Sequence, residues 1–171
     1  MSTKPHPVED YFSAVSLILS SGTGVPETSY YPALSALLNE IGGKLAKPKV
    51  FTVINPANQG AGIPDGGFYT SDQLRKGVDP ANPPPELVPA RGVMEVKPPS
   101  HDLDELLASD QIAKYLRRYG LVLATNLRSF ALVEADRDGE PVVLEPYELA
   151  KDEKSFRAAL LHPQKMAKEH G

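Results

Sequence analysis

The segment Gly92-Val93-Met94-Glu95-Val96-Lys97 combines the residues of a short buried β-strand with two charged side chains. Side chains alternate between the two faces of a strand, so Glu95 and Lys97 share one face. Met94 and Val96 point the other way, into apolar packing. An acid and a lysine on one face, on either side of a buried valine, indicate that this face has a chemical role.

A second acid lies upstream in Ile63-Pro64-Asp65-Gly66-Gly67, within a predicted strand over Ile63–Tyr69. If the two strands are neighbours about 4.8 Å apart, the carboxylates of Asp65 and Glu95 can converge on one cation. Carboxylate oxygens suit Mg²⁺, which accepts one or two carboxylates and keeps several waters. Lys97 adds a compact positive charge beside them. Such a set suits hydrolysis of a phosphodiester.

The remaining pattern predicts one mixed sheet packed against helices, an α/β (mixed α+β) fold in a single domain over 1–171. Thr28 or Ser29 is expected to cap the second helix, and Gly42-Gly43 to end it. The Pro-rich segment Thr70–Arg91 is predicted to be a loop outside the core, and residues 152–171 a possible connector. The predicted helices are 8–20, Tyr30–Ile41, two pieces within 101–119 with Ser109 capping the second, and a tail from Lys151. The other predicted strands are Val50–Ile54, Leu121–Thr125, Phe130–Glu134 and Val142–Leu144.

Composition excludes several classes of protein. The 171 residues include no Cys, which rules out disulfides, thiolate metal sites and cysteine nucleophiles. No apolar run approaches the ~20 residues of a membrane span, and no signal peptide precedes the first helix, so a cytoplasmic protein is expected. The four histidines show no paired spacing, so neither metal binding nor general-base catalysis is expected of them: they are His6, His101, His162 and His170.

Charge is unevenly distributed along the chain. The net charge of −4 argues against nucleic-acid binding through bulk positive charge. Residues 111–128 nevertheless carry +4 and no acid. Lys114 and Arg118 lie one helical turn apart and could meet backbone phosphates, or could belong to an ordinary solvated helix surface.

Pro64-Asp65 together with Glu95-Val96-Lys97 resembles the motif of the PD-(D/E)XK nuclease superfamily. Glu27 opens a helix upstream of the sheet, where this superfamily often places another acid. Gln111 and Tyr115, four residues apart, match the QxxxY motif of its RecB-like branch. More narrowly, residues 27–32, 60–66 and 90–97 resemble the N-terminal nuclease region of bacterial restriction-modification proteins that carry an N6-adenine DNA methylase. The resemblance spans residues 26–134.

The resemblance implies a restriction-endonuclease-like core of order αβββαβ and a Mg²⁺-dependent endodeoxyribonuclease, with Mn²⁺ as a substitute. It implies metal binding by Asp65, Glu95 and Glu27, and catalysis by Asp65, Glu95 and Lys97. Gln111 and Tyr115, with the basic pair Lys114 and Arg118, would support the site or bind substrate. The implied partners are DNA and a methyltransferase with a target-recognition region, on the same longer chain or on a partner subunit. The chain holds no methylase motif, so it would be an N-terminal fragment or a stand-alone relative.

Other interpretations remain open at this point. Asp65 before two glycines could be a turn aspartate, and Glu95 with Lys97 could be a solvated, self-neutralising pair. Glu27 could simply interact favourably with the dipole at the start of a helix, and Tyr115 could serve only to pack the core. At the level of function, the alternatives are a catalytically silent DNA-binding or assembly module of the same fold and a RecB-like repair nuclease.

Overall fold

A computed structural model describes residues 5–25, 27–74, 81 and 87–171. Within these residues six strands form a single sheet, in the order β1 to β6. Only the β3–β4 pair is parallel there, and the other neighbours are antiparallel. The strands are β1 (Val50–Ile54), β2 (Gly66–Thr70), β3 (Val93–Val96), β4 (Leu121–Thr125), β5 (Ser129–Ala135) and β6 (Pro141–Glu148).

Helices cover both faces of this sheet. The order α2, three strands, α5 and β4 reproduces the predicted αβββαβ core, and the mixed α+β class is confirmed. The helices are α1 (Pro7–Ser21), α2 (Tyr31–Lys44), α3 (Ser71–Leu74), α4 (Leu103–Leu107), α5 (Asp110–Tyr119), α6 (Glu153–Ala159) and α7 (Pro163–His170). None of these helices is long and apolar enough to reach across a lipid bilayer.

Strand β3 lies between two apolar clusters, one on each face of the sheet. Met94 and Val96 join the larger cluster, which α1, α2, α6 and α7 complete. Val93 joins the smaller cluster beneath α4 and α5. The alternation predicted from the sequence is therefore confirmed, and it places Glu95 on the side of α5.

The second helix differs from its prediction at both ends. A 3₁₀ turn over Thr28–Tyr30 precedes it, and no side chain caps its first residue. The hydroxyl of Ser29 instead accepts a hydrogen bond from the backbone N–H of Val25. At the other end α2 continues through Gly42 to Lys44. A Cβ on Gly42 would stand 2.2 Å from the carbonyl oxygen of Val50, so this glycine permits close packing of α2 on β1 and does not end the helix.

Some predicted strand boundaries are also corrected. Strand β2 begins at Gly66, where its pairing with β1 and β3 starts, and Ile63 is 60% exposed in the preceding loop. Strands β5 and β6 are both longer than predicted, because they pair from Ser129 with Glu148 to Ala135 with Pro141, with one register shift between Leu132 and Val133. Every residue of β6, which forms one edge of the sheet, is exposed.

The predicted loop Thr70–Arg91 is corrected at its two ends. Residues 71–74 form α3, and the side chain of Gln73 bonds to the backbone of Thr70 and Val88. Pro89 is buried and packs near Gly67. The middle of the segment, over 75–80 and 82–86, lies outside the described residues.

The last twenty residues pack as part of the domain and do not form an extended connector. Phe156 on α6 is fully buried, and Leu160 and Met166 are nearly so. All three belong to the larger apolar cluster. The apolar spacing of this tail therefore serves the core, as in any amphipathic helix.

Candidate active site

An open cleft of about 660 Å³ lies where β3 ends, between the β1–β2 loop and helices α4 and α5. Five of the residues predicted for the site line it: Asp65, Glu95, Lys97, Gln111 and Tyr115. The β2–β3 and β3–β4 pairings bring these residues together from distant parts of the sequence.

Asp65 is held by the neighbouring strand, not by a local turn. Its backbone N–H donates to Met94, and its Oδ2 accepts a 2.6 Å hydrogen bond from the backbone N–H of Val96. Its Oδ1 accepts a 2.5 Å hydrogen bond from the hydroxyl of Tyr31. Asp65 is thus aimed at β3, and the turn-aspartate interpretation does not describe these contacts.

Glu95 is buried, so it is not part of a solvated strand face. Only 7% of the residue is exposed, and burial raises the pKa of its carboxyl group. The negative charge of Asp65 raises that pKa further, whereas the ammonium of Lys97 opposes the shift. Asp65 and Glu95 thus line the same cleft and their charges repel one another, an arrangement that a nearby cation stabilises.

Lys97 lies within reach of two acids. Its Nζ is 2.9 Å from Oε1 of Glu95 and 3.9 Å from Oε1 of Glu27. Partial burial lowers the pKa of Lys97, but the hydrogen bond that its ammonium donates to Glu95 and the surrounding negative charges outweigh burial and raise the pKa overall. The side chain is therefore a fixed ammonium at neutral pH.

Glu27 reaches this group from a strained backbone. It has a φ of 70°, in a region that non-glycine residues rarely adopt and that costs about 1–3 kcal/mol. Its side chain caps no backbone N–H of the turn that follows. The side chain points instead toward Lys97. These contacts fit a place at the site better than a simple helix-dipole role.

Gln111 and Tyr115 form the wall of the cleft on α5. The amide of Gln111 donates to the carbonyl of Ala61 at 3.4 Å and so contacts the β1–β2 loop. Gly62 lies beside that amide, and its φ of 99° is a conformation that favours glycine. Tyr115 is almost completely buried. Burial raises the pKa of its hydroxyl, and the negative charge of Glu95 raises that pKa further.

The basic stretch over residues 111–128 is only partly available to bind a phosphate, because some of its cations make contacts within the protein. The guanidinium of Arg118 donates to the backbone and side-chain oxygens of Gln59, which fastens the β1–β2 loop to α5. Arg128 donates to the carbonyls of Pro99 and Lys151 and so serves the structure. Lys114 is exposed on α5 and is not among the residues that line the cleft, and it takes part in none of the ion pairs among the described residues.

Three residues at the site were not predicted from the sequence. His101 lines the cleft together with Glu105, although the histidines show no meaningful spacing. Tyr31 contacts Asp65 across a separation of 34 residues. The position of Tyr31 one helical turn after Glu27 is the one feature of the sequence that would have indicated a place for Tyr31 at the site.

The oxygen ligands at the floor of the cleft are few. In the described part of the chain, no group of three or more His, Cys, Asp or Glu side chains is arranged to hold a metal. Asp65 and Glu95 supply two carboxylates, which is the number that Mg²⁺ commonly takes from a protein.

The sequence matches no protein-family model and no curated protein. Among solved structures, a chain of the cryo-EM structure of the DrdV–DNA complex is similar, with a TM-score of 0.58 and 16% sequence identity. The similarity covers 91% of this chain and 96% of that one. The fold is restriction-endonuclease-like. In this fold the cleft lies at the end of the central parallel strand pair.

Proposed function

We propose that the chain is a divalent-metal-dependent endodeoxyribonuclease domain that hydrolyses DNA phosphodiester bonds in the restriction of foreign DNA. One observation carries the proposal: Asp65, Glu95 and Lys97, in the order of the nuclease motif, meet at the floor of one open cleft. The similar chain in the DrdV–DNA complex supports DNA as the substrate.

Asp65 and Glu95 would hold the metal, and Glu27 would complete the site as a further ligand once its side chain turns from Lys97 toward them. The residues present fit Mg²⁺, because two carboxylates that line one open cleft leave space for the waters that this ion retains. Bound Mg²⁺ supplies polarisation of a phosphoryl oxygen and a more acidic water. Mn²⁺ prefers the same oxygen ligands and would substitute.

Lys97 would stabilise the transition state. Its ammonium is fixed beside Glu95, and negative charge builds on the phosphoryl oxygens as water attacks and the bond to the sugar oxygen breaks. Gln111 and Tyr115 would line the side of the cleft that the substrate contacts. Lys114 would contact a DNA phosphate, while Arg118 would act through the β1–β2 loop.

Plasmid nicking tests the proposal directly. Wild-type protein should nick supercoiled plasmid in Mg²⁺ or Mn²⁺ and not in EDTA, and Glu95→Ala should be inactive in either metal. Calorimetry with Mn²⁺ separates this function from a silent module, because a DNA-binding or assembly module has no reason to bind Mn²⁺ at these carboxylates. Absence of both nicking and Mn²⁺ binding in the wild type would refute the proposal.

The restriction role rests on the narrower sequence resemblance. It predicts a methyltransferase and a target-recognition region, on a longer chain or on a partner subunit. A RecB-like repair nuclease would work without them. Methylation of the plasmid by such a partner should abolish cleavage if the role is restriction, and should have no effect if it is repair.

A further inference from the structure

The hydroxyl of Tyr31 makes the shortest contact to the carboxylate of Asp65, at 2.5 Å. Tyr31 as a whole residue is 7% exposed and belongs to the larger apolar cluster, so packing fixes the direction of its side chain. We propose that Tyr31 is a positioning residue that fixes the Asp65 carboxylate in the orientation needed to bind a divalent metal ion. This inference rests on the proposed function and extends it to a residue that the nuclease motif does not contain.

Two donors from different elements hold the two oxygens of Asp65. The backbone N–H of Val96 on β3 binds Oδ2, and Tyr31 on α2 binds Oδ1. The carboxylate cannot rotate about its Cβ–Cγ bond without losing one of these hydrogen bonds. Each oxygen still has a free lone pair, so it can accept a metal while it is held. Donors of this kind orient metal ligands in proteins generally.

One short segment brings two residues to the site. The 3₁₀ turn over Thr28–Tyr30 separates Glu27 from Tyr31 by one helical turn, so that Glu27 faces Lys97 while Tyr31 faces Asp65. The start of α2 is thereby fastened to the loop before β2. Loss of the Tyr31 hydroxyl should therefore affect Asp65 and leave the Glu95–Lys97 contact in place.

Tyr30 provides a matched control. It is also buried, and its hydroxyl makes no hydrogen bond within the described residues. Tyr30→Phe and Tyr31→Phe each remove one oxygen atom from adjacent positions. Only the second removes a donor to Asp65.

Calorimetric titration of the full chain with Mn²⁺ tests the inference. Tyr31→Phe should weaken Mn²⁺ binding by about 10- to 100-fold, the usual cost of removing an orienting partner of a metal ligand. Tyr30→Phe should bind as the wild type does. Equal affinity in Tyr31→Phe and the wild type would overturn the positioning role and leave the proposed nuclease intact. A wild type that binds no Mn²⁺ would instead overturn the metal site itself.

A double-mutant cycle in metal-free buffer gives a second readout that does not depend on a metal. Asp65→Asn and Tyr31→Phe should shift the melting temperature non-additively, because both change the same hydrogen bond. Asp65→Asn combined with Tyr30→Phe should be additive. Additive shifts in both pairs would show that the Tyr31–Asp65 contact has no energetic weight and would overturn the proposal.

Discussion

At the scale of single residues, Lys97 is the cation closest to Glu95. Lys97→Ala should reduce the cleavage rate by about 10²-fold or more while DNA and Mn²⁺ binding stay nearly unchanged, because its charge matters most in the transition state. Lys97→Arg should not restore the rate, since a planar guanidinium cannot replace a compact ammonium. Single-turnover cleavage at saturating Mg²⁺ measures the effect, with Lys154→Ala on the exposed side of α6 as the control. A wild-type rate in Lys97→Ala would contradict the nuclease interpretation of β3.

The raised pKa of Glu95 also leads to a prediction about how stability depends on pH. Its pKa in the folded protein is raised, so its contribution to stability is present below the ordinary glutamate value of 4.5 and is lost as the pH rises through the folded pKa. The ionised carboxylate therefore opposes folding at neutral pH. In metal-free buffer at pH 7, Glu95→Gln should melt a few degrees above the wild type, and the difference should vanish near pH 4. A lower melting temperature for Glu95→Gln at pH 7 would contradict the inference that the ionised carboxylate destabilises the folded protein.

At the scale of secondary-structure elements, two adjacent glycines of α2 should respond in opposite ways. Gly42→Ala forces a Cβ against the carbonyl oxygen of Val50 and should destabilise the protein by about 1–3 kcal/mol, the cost of overpacking. Gly43 has open space around its Cα, so Gly43→Ala should stabilise the helix by about 0.5–1 kcal/mol. Urea denaturation of both variants measures the difference. Equal effects would show that α2 does not pack on β1 as described.

These elements also show how far the sequence predicts the structure. Alternation along β3 and the cap at Ser109 depend on nearby residues, and both were predicted correctly. The role of Gly42 was not, because a glycine that ends a helix and one that permits close packing look alike in a sequence. Tyr31 and Arg118 find their partners at separations of 34 and 59 residues, which no local pattern encodes.

At the scale of the whole molecule, the C-terminal helices complete the core. Phe156→Ala should cost about 3–5 kcal/mol, a large part of the 5–15 kcal/mol that typically stabilises a domain. Leu161 is 73% exposed, so Leu161→Ala should change stability by less than about 0.5 kcal/mol. Thermal unfolding followed by circular dichroism compares the two. A near-neutral Phe156→Ala would mean that residues 152–171 do not contribute to the fold.

The exposed edge strand β6 bears on how the protein behaves at high concentration. An open edge offers backbone groups to which a strand from another molecule can add, and Val142, Val143 and Leu144 would favour such growth into fibrous aggregates. Pro146 interrupts the row of donors because proline has no N–H. Glu145 and Glu148 add negative charge to this edge, so two such edges repel one another. The strand thus carries its own protection against self-assembly, and replacing Pro146 would weaken it.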